Sequence, residues 1–165
     1  MHVADFYPET IPPHIMEHHQ NITYCADIFY VNGLTFLHTI SRKLLFRTVQ
    51  YIPNRTKETI QEGIDLVTNL YNSRGFKVIA IHADYEFTPL KERVRPVDLN
   101  CTAANEHVPE IERSVHTIKD RNRSTIQGLP FKRFPRTLLK EIIKFSNNWI
   151  NAFPLKTGVS NKLSP

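Results

Sequence analysis

The most constraining feature of the sequence is a stretch of period-two hydrophobicity between Ile22 and Tyr51. Its apolar, β-branched and aromatic residues form three runs, ITYCADIFYV, LTFLHTI and LLFRTVQYI. Because successive side chains of a strand point to opposite faces of a sheet, this pattern predicts three strands. Asn32-Gly33 separates the first two runs and suits a two-residue hairpin turn, in which both positions need a positive φ. The sequence therefore predicts an antiparallel meander.

Helical and strand patterns alternate in the rest of the chain. The run KVIAIHA is nearly continuous and apolar, which is typical of a strand buried on both faces in a parallel arrangement. The predicted elements are, in order, a helix over 54–75, strands over 77–83 and 96–102, a helix with Pro109 in its first turn, and a helix over about 135–152. Together they predict an α/β fold with a five-stranded mixed sheet, three antiparallel strands followed by parallel strands, flanked by helices.

Length and composition indicate one globular domain, since the 165 residues are 41% hydrophobic and 22% charged. We assign residues 21–153 to this domain, 1–20 to an extended arm or the remnant of an upstream region, and 154–165 to a loop tail. No apolar run approaches the ~18–20 residues that a membrane span needs, and the start lacks the apolar segment of a signal peptide, so we expect an intracellular protein. Cys25 and Cys101 fit no zinc or disulfide pattern, which predicts reduced thiols.

Positive charge is concentrated in one segment. The formal net charge is +5, and residues 113–140 hold eight Lys and Arg residues against one acid, Asp120. An anionic partner is one interpretation of this segment, and a solvated helix face beside a loop is the other. The basic residues are Arg113, Lys119, Arg121, Arg123, Lys132, Arg133, Arg136 and Lys140.

Three acids stand at positions where catalytic carboxylates can occur. Asp27 interrupts the first predicted strand, Asp84 directly follows the buried strand, and Glu112 lies in the first turns of a helix. Open α/β sheets place ligand sites at the carboxyl ends of parallel strands. Each acid also has a structural alternative: a wet face of an edge strand for Asp27, a helix N-cap for Asp84, and a favourable interaction with the helix dipole for Glu112.

The predicted topology can bring these three carboxylates to one edge of the sheet. Such a cluster needs cations, and hard oxygen ligands suit Mg²⁺ or Mn²⁺. Two such ions can activate a nucleophile and stabilise a leaving oxygen in phosphodiester chemistry. His116, Lys119 and Arg123 share the helix face of Glu112, so this stripe could hold a phosphate backbone beside the site.

Several segments resemble the integrase catalytic core of Copia-type LTR retrotransposons, in the retroviral integrase and RNase H-like superfamily. The segments are CADIFYV, FLHTISR, VIAIHADYEF, HVPEIERSVHTIKDRNR and NNWINAFPLKTGVSNKLSP. The resemblance covers about residues 20–165 and implies an RNase H-like fold. It also implies an Asp-Asp-Glu triad of Asp27, Asp84 and Glu112 that holds two divalent ions, Mg²⁺ or Mn²⁺.

The same resemblance implies 3′-end processing of DNA followed by strand transfer into target DNA. Arg113, His116, Lys119 and Arg123 would bind the DNA. Implied partners are the element ends, target DNA, further copies of the chain, and the zinc-binding and C-terminal DNA-binding domains of a longer polyprotein that this sequence lacks. The implied site of action is the nucleus.

A second candidate glutamate and two departures from the family pattern keep alternatives open. Glu110 also matches the family's Val-x-Glu pattern, but Glu112 has Arg113 beside it and places Ile111 in phase with the apolar stripe. Tyr85 replaces the usual Gly-Gly after the second aspartate, and the spacing between Asp84 and the glutamate is shortened. The alternative function is a catalytically decayed integrase fold that binds only nucleic acid or partner proteins. A nuclease of RNase H type is a third interpretation.

Overall fold

The structure, a computed structural model, describes residues 10–103, 108–130, 133–153, 155–160 and 164–165. Its elements are α1 (Pro13–His19), β1 (Asn21–Val31), β2 (Leu34–Ser41), β3 (Arg47–Ile52), α2 (Lys57–Ser73), β4 (Lys77–Ala83), a 3₁₀ helix (Tyr85–Leu90), β5 (Asp98–Cys101), α3 (Pro109–Gln127) and α4 (Arg136–Asn151).

The strands form a single five-stranded sheet in the order β3-β2-β1-β4-β5. β1, β2 and β3 pair antiparallel, whereas β4 pairs parallel with both β1 and β5. The turn between β1 and β2 has positive φ at both Asn32 (48°) and Gly33 (73°), as its dipeptide predicts. The predicted fold class, a mixed sheet of three antiparallel and then parallel strands flanked by helices, is confirmed.

Helices cover both faces of the sheet because the strands alternate apolar side chains between them. On one face Tyr24, Ala26 and Ile28 of β1 belong to the same core cluster as the buried residues of α2. On the other face Phe29 clusters with the buried residues of α3 and α4. The buried residues of these helices are Ile60, Ile64, Val67 and Tyr71 of α2, Val115 and Ile118 of α3, and Leu139 and Ile143 of α4.

β4 is less buried than its apolar pattern predicts, and Ile79 is the apolar residue that is exposed. Ile22 pairs with Val78 and Thr23 with Ala80, so Ile79 is an extra residue in the strand and is 43% exposed. The expectation that β4 is buried on both faces is therefore wrong at this position. The bulge also lets Val78 and Ile81, three positions apart, contribute to the same core cluster.

The segment before β1 contains a short helix, although the sequence predicts an extended arm there. α1 begins at Pro13, which is favourable at a first helical position because its missing N–H would have no helical partner. Ile15 is buried in the core cluster beneath α2, so burial of this side chain holds the helix against the domain. At the other end, residues 155–160 contain no helix or strand, and Val159 packs against the same cluster.

Both cysteines are free thiols, with Cys25 buried and Cys101 partly buried. Among the described residues, no helix combines the length and apolarity needed to cross a membrane.

Candidate active site

Asp27 lies in the middle of β1, the central strand of the sheet, and is partly buried. Cys25 and Phe29 share its face of the strand. Cys25 clusters with Ile111 of α3, and Phe29 clusters with Val115 of the same helix. Asp27 therefore lies between two apolar contacts on the face that α3 covers. The alternative that Asp27 stands on a wet edge strand is wrong, because two strands flank β1 on each side.

Asp84 is placed beside Asp27 by the parallel pairing of β1 and β4. Ala26 pairs with Ala83, so the two aspartates are the next residues of neighbouring strands, which lie ~4.8 Å apart. Cys25 pairs with His82, and alternation along β4 puts Asp84 on the face of Asp27. Asp84 occupies the N-cap position of the 3₁₀ helix, as the structural alternative predicts, but its side chain makes no cap hydrogen bond.

Glu112 lies on the flank of α3 that overlies β1. The opposite flank is fixed by Ser114, whose hydroxyl oxygen contacts His38 of β2 and Arg47 of β3 at 2.8 and 3.0 Å. Lys119, two turns after Glu112 and hence on its flank, has its ammonium group 5.9 Å from the centre of the Phe29 ring. Glu112 itself is exposed.

The position of Glu112 along β1 follows from the direction of α3. Ile111 clusters with Cys25 and Val115 with Phe29, so α3 and β1 run in the same direction. Glu112 precedes Lys119 by seven residues, or ~10.5 Å of helix. Three residues of strand span about the same length. Lys119 lies over Phe29, so Glu112 lies level with a point about three strand residues before Phe29. That segment of β1 contains Asp27.

Glu110, the alternative third carboxylate, is engaged elsewhere. Its Oε1 is 3.2 Å from Nη2 of Arg42, and the backbone N–H of Arg42 donates to the carbonyl of Thr23 at 2.9 Å. The same guanidinium contacts His82 of β4 at 3.4 Å, and His82 precedes Asp84 by two residues, or ~7 Å of strand. Glu110 is therefore held by Arg42 on the side of the site toward the amino-terminal part of β1.

No complete metal-ligand group exists within the part of the chain that the structure describes: no three His, Cys, Asp or Glu side chains are grouped closely enough to hold an ion. The residues that fit a divalent cation are the neighbouring carboxylates of Asp27 and Asp84, which are hard oxygen donors. One oxygen of Asp27 is already an acceptor for the N–H of Ile28 at 2.6 Å.

The predicted DNA-binding residues occupy different surroundings on α3. His116 and Arg123 are exposed, and both contact Asp120, at 3.2 and 3.0 Å. Lys119 is partly buried over Phe29, whereas Arg113 is exposed, 100° around the helix from Glu112. The stripe of His116, Lys119 and Arg123 is thus present, but Asp120 offsets part of its positive charge.

Sequence reasoning missed a buried hydrogen-bond network beneath α3. Nδ1 of His38 is 2.8 Å from the carbonyl oxygen of Thr48, which can only accept, so Nδ1 carries the proton. Nε2 then accepts from the Ser114 hydroxyl, whose oxygen accepts from Nε of Arg47. Burial lowers the pKa of His38 to about 4 and keeps it neutral. A histidine in a predicted strand was the only signal, because its partner Ser114 is 76 positions away.

The comparisons with known proteins agree with this geometry at the level of fold. No protein-family profile matches the chain, and no curated protein matches it. Among solved structures, the chain is similar to the catalytic core domain of BIV integrase, with a TM-score of 0.57 over 87% of this chain and 90% of that one.

The chain has an integrase-core fold. Sequence identity to the BIV domain is 14%, so the likeness concerns the course of the backbone and not the identity of the site residues. The retroviral match agrees with the RNase H-like fold that the resemblance implies, and it contains nothing specific to Copia-type elements.

Proposed function

We propose that this domain is an integrase-like polynucleotidyl transferase core that acts on DNA in 3′-end processing and strand transfer. One observation carries the proposal: Asp27 and Asp84 are abreast on the two central parallel strands and on the same face, in an integrase-core fold. Glu112, on the flank of α3 above β1, is the proposed third carboxylate. Fold alone does not determine function, so the proposal depends on these side chains.

The proposed cofactor is a pair of divalent ions, Mg²⁺ or Mn²⁺. Asp27 and Asp84 would hold them from the sheet and Glu112 from α3, because carboxylate oxygens are the ligands that these ions prefer. When bound, such ions stabilise negative charge on a phosphate undergoing substitution. Glu110 is the weaker choice of ligand because Arg42 already neutralises it.

The residues of α3 would position the DNA backbone. Arg113, His116 and Arg123 are exposed, and Lys119 presents its ammonium group beside Phe29. Phosphate contacts fix the register of a nucleic acid without reading its sequence, which suits a site that must hold a strand near its reactive phosphate. A nuclear site of action and further domains of a longer polyprotein belong to the same proposal.

A second candidate is a domain of this fold that binds DNA or a partner protein without catalysis. The absence of a three-ligand group among the described residues favours it. The basic residues of α3 would then provide the binding surface, and the carboxylates would be dispensable. DNA binding of this kind weakens steeply with added salt because it releases counterions.

A calorimetric titration with Mn²⁺ tests the proposal. Wild type is compared with Asp27→Asn, Asp84→Asn and Glu112→Gln, each of which removes one ligand charge at constant size, and with Glu110→Gln, which tests the alternative ligand. We expect Mn²⁺ binding to be lost in the first three variants and to be weakened but still measurable in Glu110→Gln. A folded wild type that binds no Mn²⁺ contradicts the proposal.

The same variants distinguish the second candidate, a non-catalytic binding domain, from the transferase. In EDTA, binding of a fluorescent DNA duplex is measured at increasing salt. Wild type without Mn²⁺ affinity but with salt-dependent DNA binding, retained in Asp27→Asn and Asp84→Asn, supports a non-catalytic domain. Mn²⁺ affinity that depends on all three carboxylates supports the transferase.

A further inference from the structure

Arg42, which directly follows β2, contacts three other elements at one point. Its backbone N–H donates to the carbonyl of Thr23 in β1 at 2.9 Å. Its Nη1 donates to Nε2 of His82 in β4 at 3.4 Å, and its Nη2 is 3.2 Å from the carboxylate of Glu110 in α3. The side chain also lies beside the buried thiol of Cys25, whose pKa is raised chiefly by burial and lowered in part by Arg42.

These three elements are the ones that carry the candidate carboxylates. His82 precedes Asp84 by two residues, and Glu110 precedes Glu112 by two residues. Cys25 likewise precedes Asp27 by two residues in β1. In each element, the residue beside the Arg42 side chain therefore precedes the candidate carboxylate by two positions.

The first turn of α3 is held to the sheet by an apolar anchor and by a polar contact. Val108 occupies the N-cap position and offers no side-chain cap, and Pro109 is the first helical residue. Ile111 is buried and anchors the underside of this turn. The ion pair between Arg42 and Glu110 supplies a polar tether, and both partners are partly exposed.

Arginine is the side chain that this geometry requires. Two different nitrogens of one planar guanidinium serve His82 and Glu110. A lysine at position 42 would keep the charge but would present a single ammonium group, which lacks the fixed fork that spans both partners.

We propose that Arg42 is a positioning residue that fixes the first turn of α3 against β1 and β4 and so sets the place of Glu112 relative to Asp27 and Asp84. This inference rests on the proposed function for its consequence in metal binding. Arg42 acts through its contacts with Glu110, His82 and the backbone of Thr23. Its contribution to global stability is small, because partly exposed ion pairs add little to the free energy of folding.

The test compares Arg42→Lys, Glu110→Gln and their double variant with Arg74→Lys, an exposed arginine at the end of α2. Amide hydrogen exchange of residues 111–116 reports the order of the first turn without any metal. Calorimetry measures the affinity of the carboxylates for Mn²⁺, and urea unfolding measures global stability.

We expect faster exchange confined to residues 111–116 and an unchanged unfolding midpoint in both single variants. We expect Mn²⁺ affinity to fall about tenfold, the low end of what residues that orient metal ligands contribute. The double variant should resemble either single variant, because both remove the same contact. Arg74→Lys should match wild type in all three measurements.

Unchanged exchange in Arg42→Lys and Glu110→Gln would overturn the inference, as would faster exchange spread over the whole chain with a lower unfolding midpoint. Unchanged Mn²⁺ affinity alongside locally faster exchange would overturn the positioning of Glu112. If wild type binds no Mn²⁺, the proposed function fails, and the exchange result alone then decides whether Arg42 orders this turn.

Discussion

Two polar residues face each other at the centre of the sheet, Asp27 on β1 and His38 on β2. His38 is fully buried, and each ring nitrogen has a partner, which is the condition under which a buried polar group is tolerated. Asp27 is only partly buried and lies toward the end where β4 stops. One residue of the pair is therefore structural, and the other remains accessible for chemistry.

The buried histidine predicts a stability that depends on pH. Burial lowers the folded-state pKa of His38 to about 4, below the ordinary 6.5, so the unfolded chain takes up the proton first as pH falls. The contribution of neutral His38 to the free energy of unfolding is fully present above pH 6.5 and is lost as pH falls toward 4. Urea unfolding should show a loss of about 3 kcal/mol at pH 4 from this residue.

The control for this prediction is a comparison of variants, because carboxylates also titrate in that range. The difference in unfolding free energy between pH 7 and pH 4 should shrink by about that amount in His38→Gln and stay unchanged in His14→Gln, an exposed histidine of α1. An equal pH dependence in wild type and His38→Gln would contradict the assignment.

At the scale of elements, α3 is seated on the sheet by an apolar stripe and one polar contact. Ile111, Val115 and Ile118 are buried, and Ser114 lies between them as the shared partner of His38 and Arg47. The apolar stripe supplies the burial energy, but it is non-directional. The hydrogen bonds of Ser114 fix the rotation of the helix, which puts Glu112 on the opposite flank of α3.

Removal of this hydroxyl should therefore be costly. Ser114→Ala leaves Nε2 of His38 without its donor and Nε of Arg47 without its acceptor, and we expect a loss of about 2 kcal/mol in unfolding free energy. Ser124→Ala, on the exposed side of the same helix, should change stability by less than about 0.5 kcal/mol. Equal losses in the two variants, measured by urea unfolding, would show that the network contributes nothing.

At the scale of the whole molecule, one helix presents a continuous aromatic surface. Phe145, Trp149 and Phe153, on α4 and just beyond it, are each about half exposed. Their rings contact one another, with centroids 6.0 and 5.3 Å apart. Adjacent exposed aromatic rings are typical of protein interfaces, and the integrase resemblance implies further copies of the chain as partners, so we expect this surface to mediate self-association.

We expect a concentration-dependent dimer by sedimentation equilibrium. Trp149→Ala should raise its dissociation constant about 30-fold, because truncation of a central interface tryptophan costs about 2 kcal/mol or more. Tyr30→Ala is the matched control, since Tyr30 is exposed to a similar extent at the end of β1. A wild-type protein that stays monomeric at all concentrations would contradict this proposal.

Sequence patterning by itself determined the order of the strands and helices. The period-two runs, the Asn32-Gly33 turn and the helical repeats are local signals, and each produces a recognisable element. The same signals brought out Asp27 and Asp84, because acids inside or directly after apolar strands are conspicuous. Prediction failed where local patterns were ambiguous, at the bulged Ile79 and at the short helix that Ile15 anchors to the core.

Only the tertiary structure decided which polar residues meet. Arg42 finds His82 and Glu110 at sequence separations of 40 and 68 residues, and His38 finds Ser114 across 76. Such contacts depend on strand order and on the rotation of α3, and neither leaves a periodic trace in the sequence. The physical reason is that burial selects for hydrophobic pattern locally, whereas directional bonds between distant elements depend on the assembled geometry.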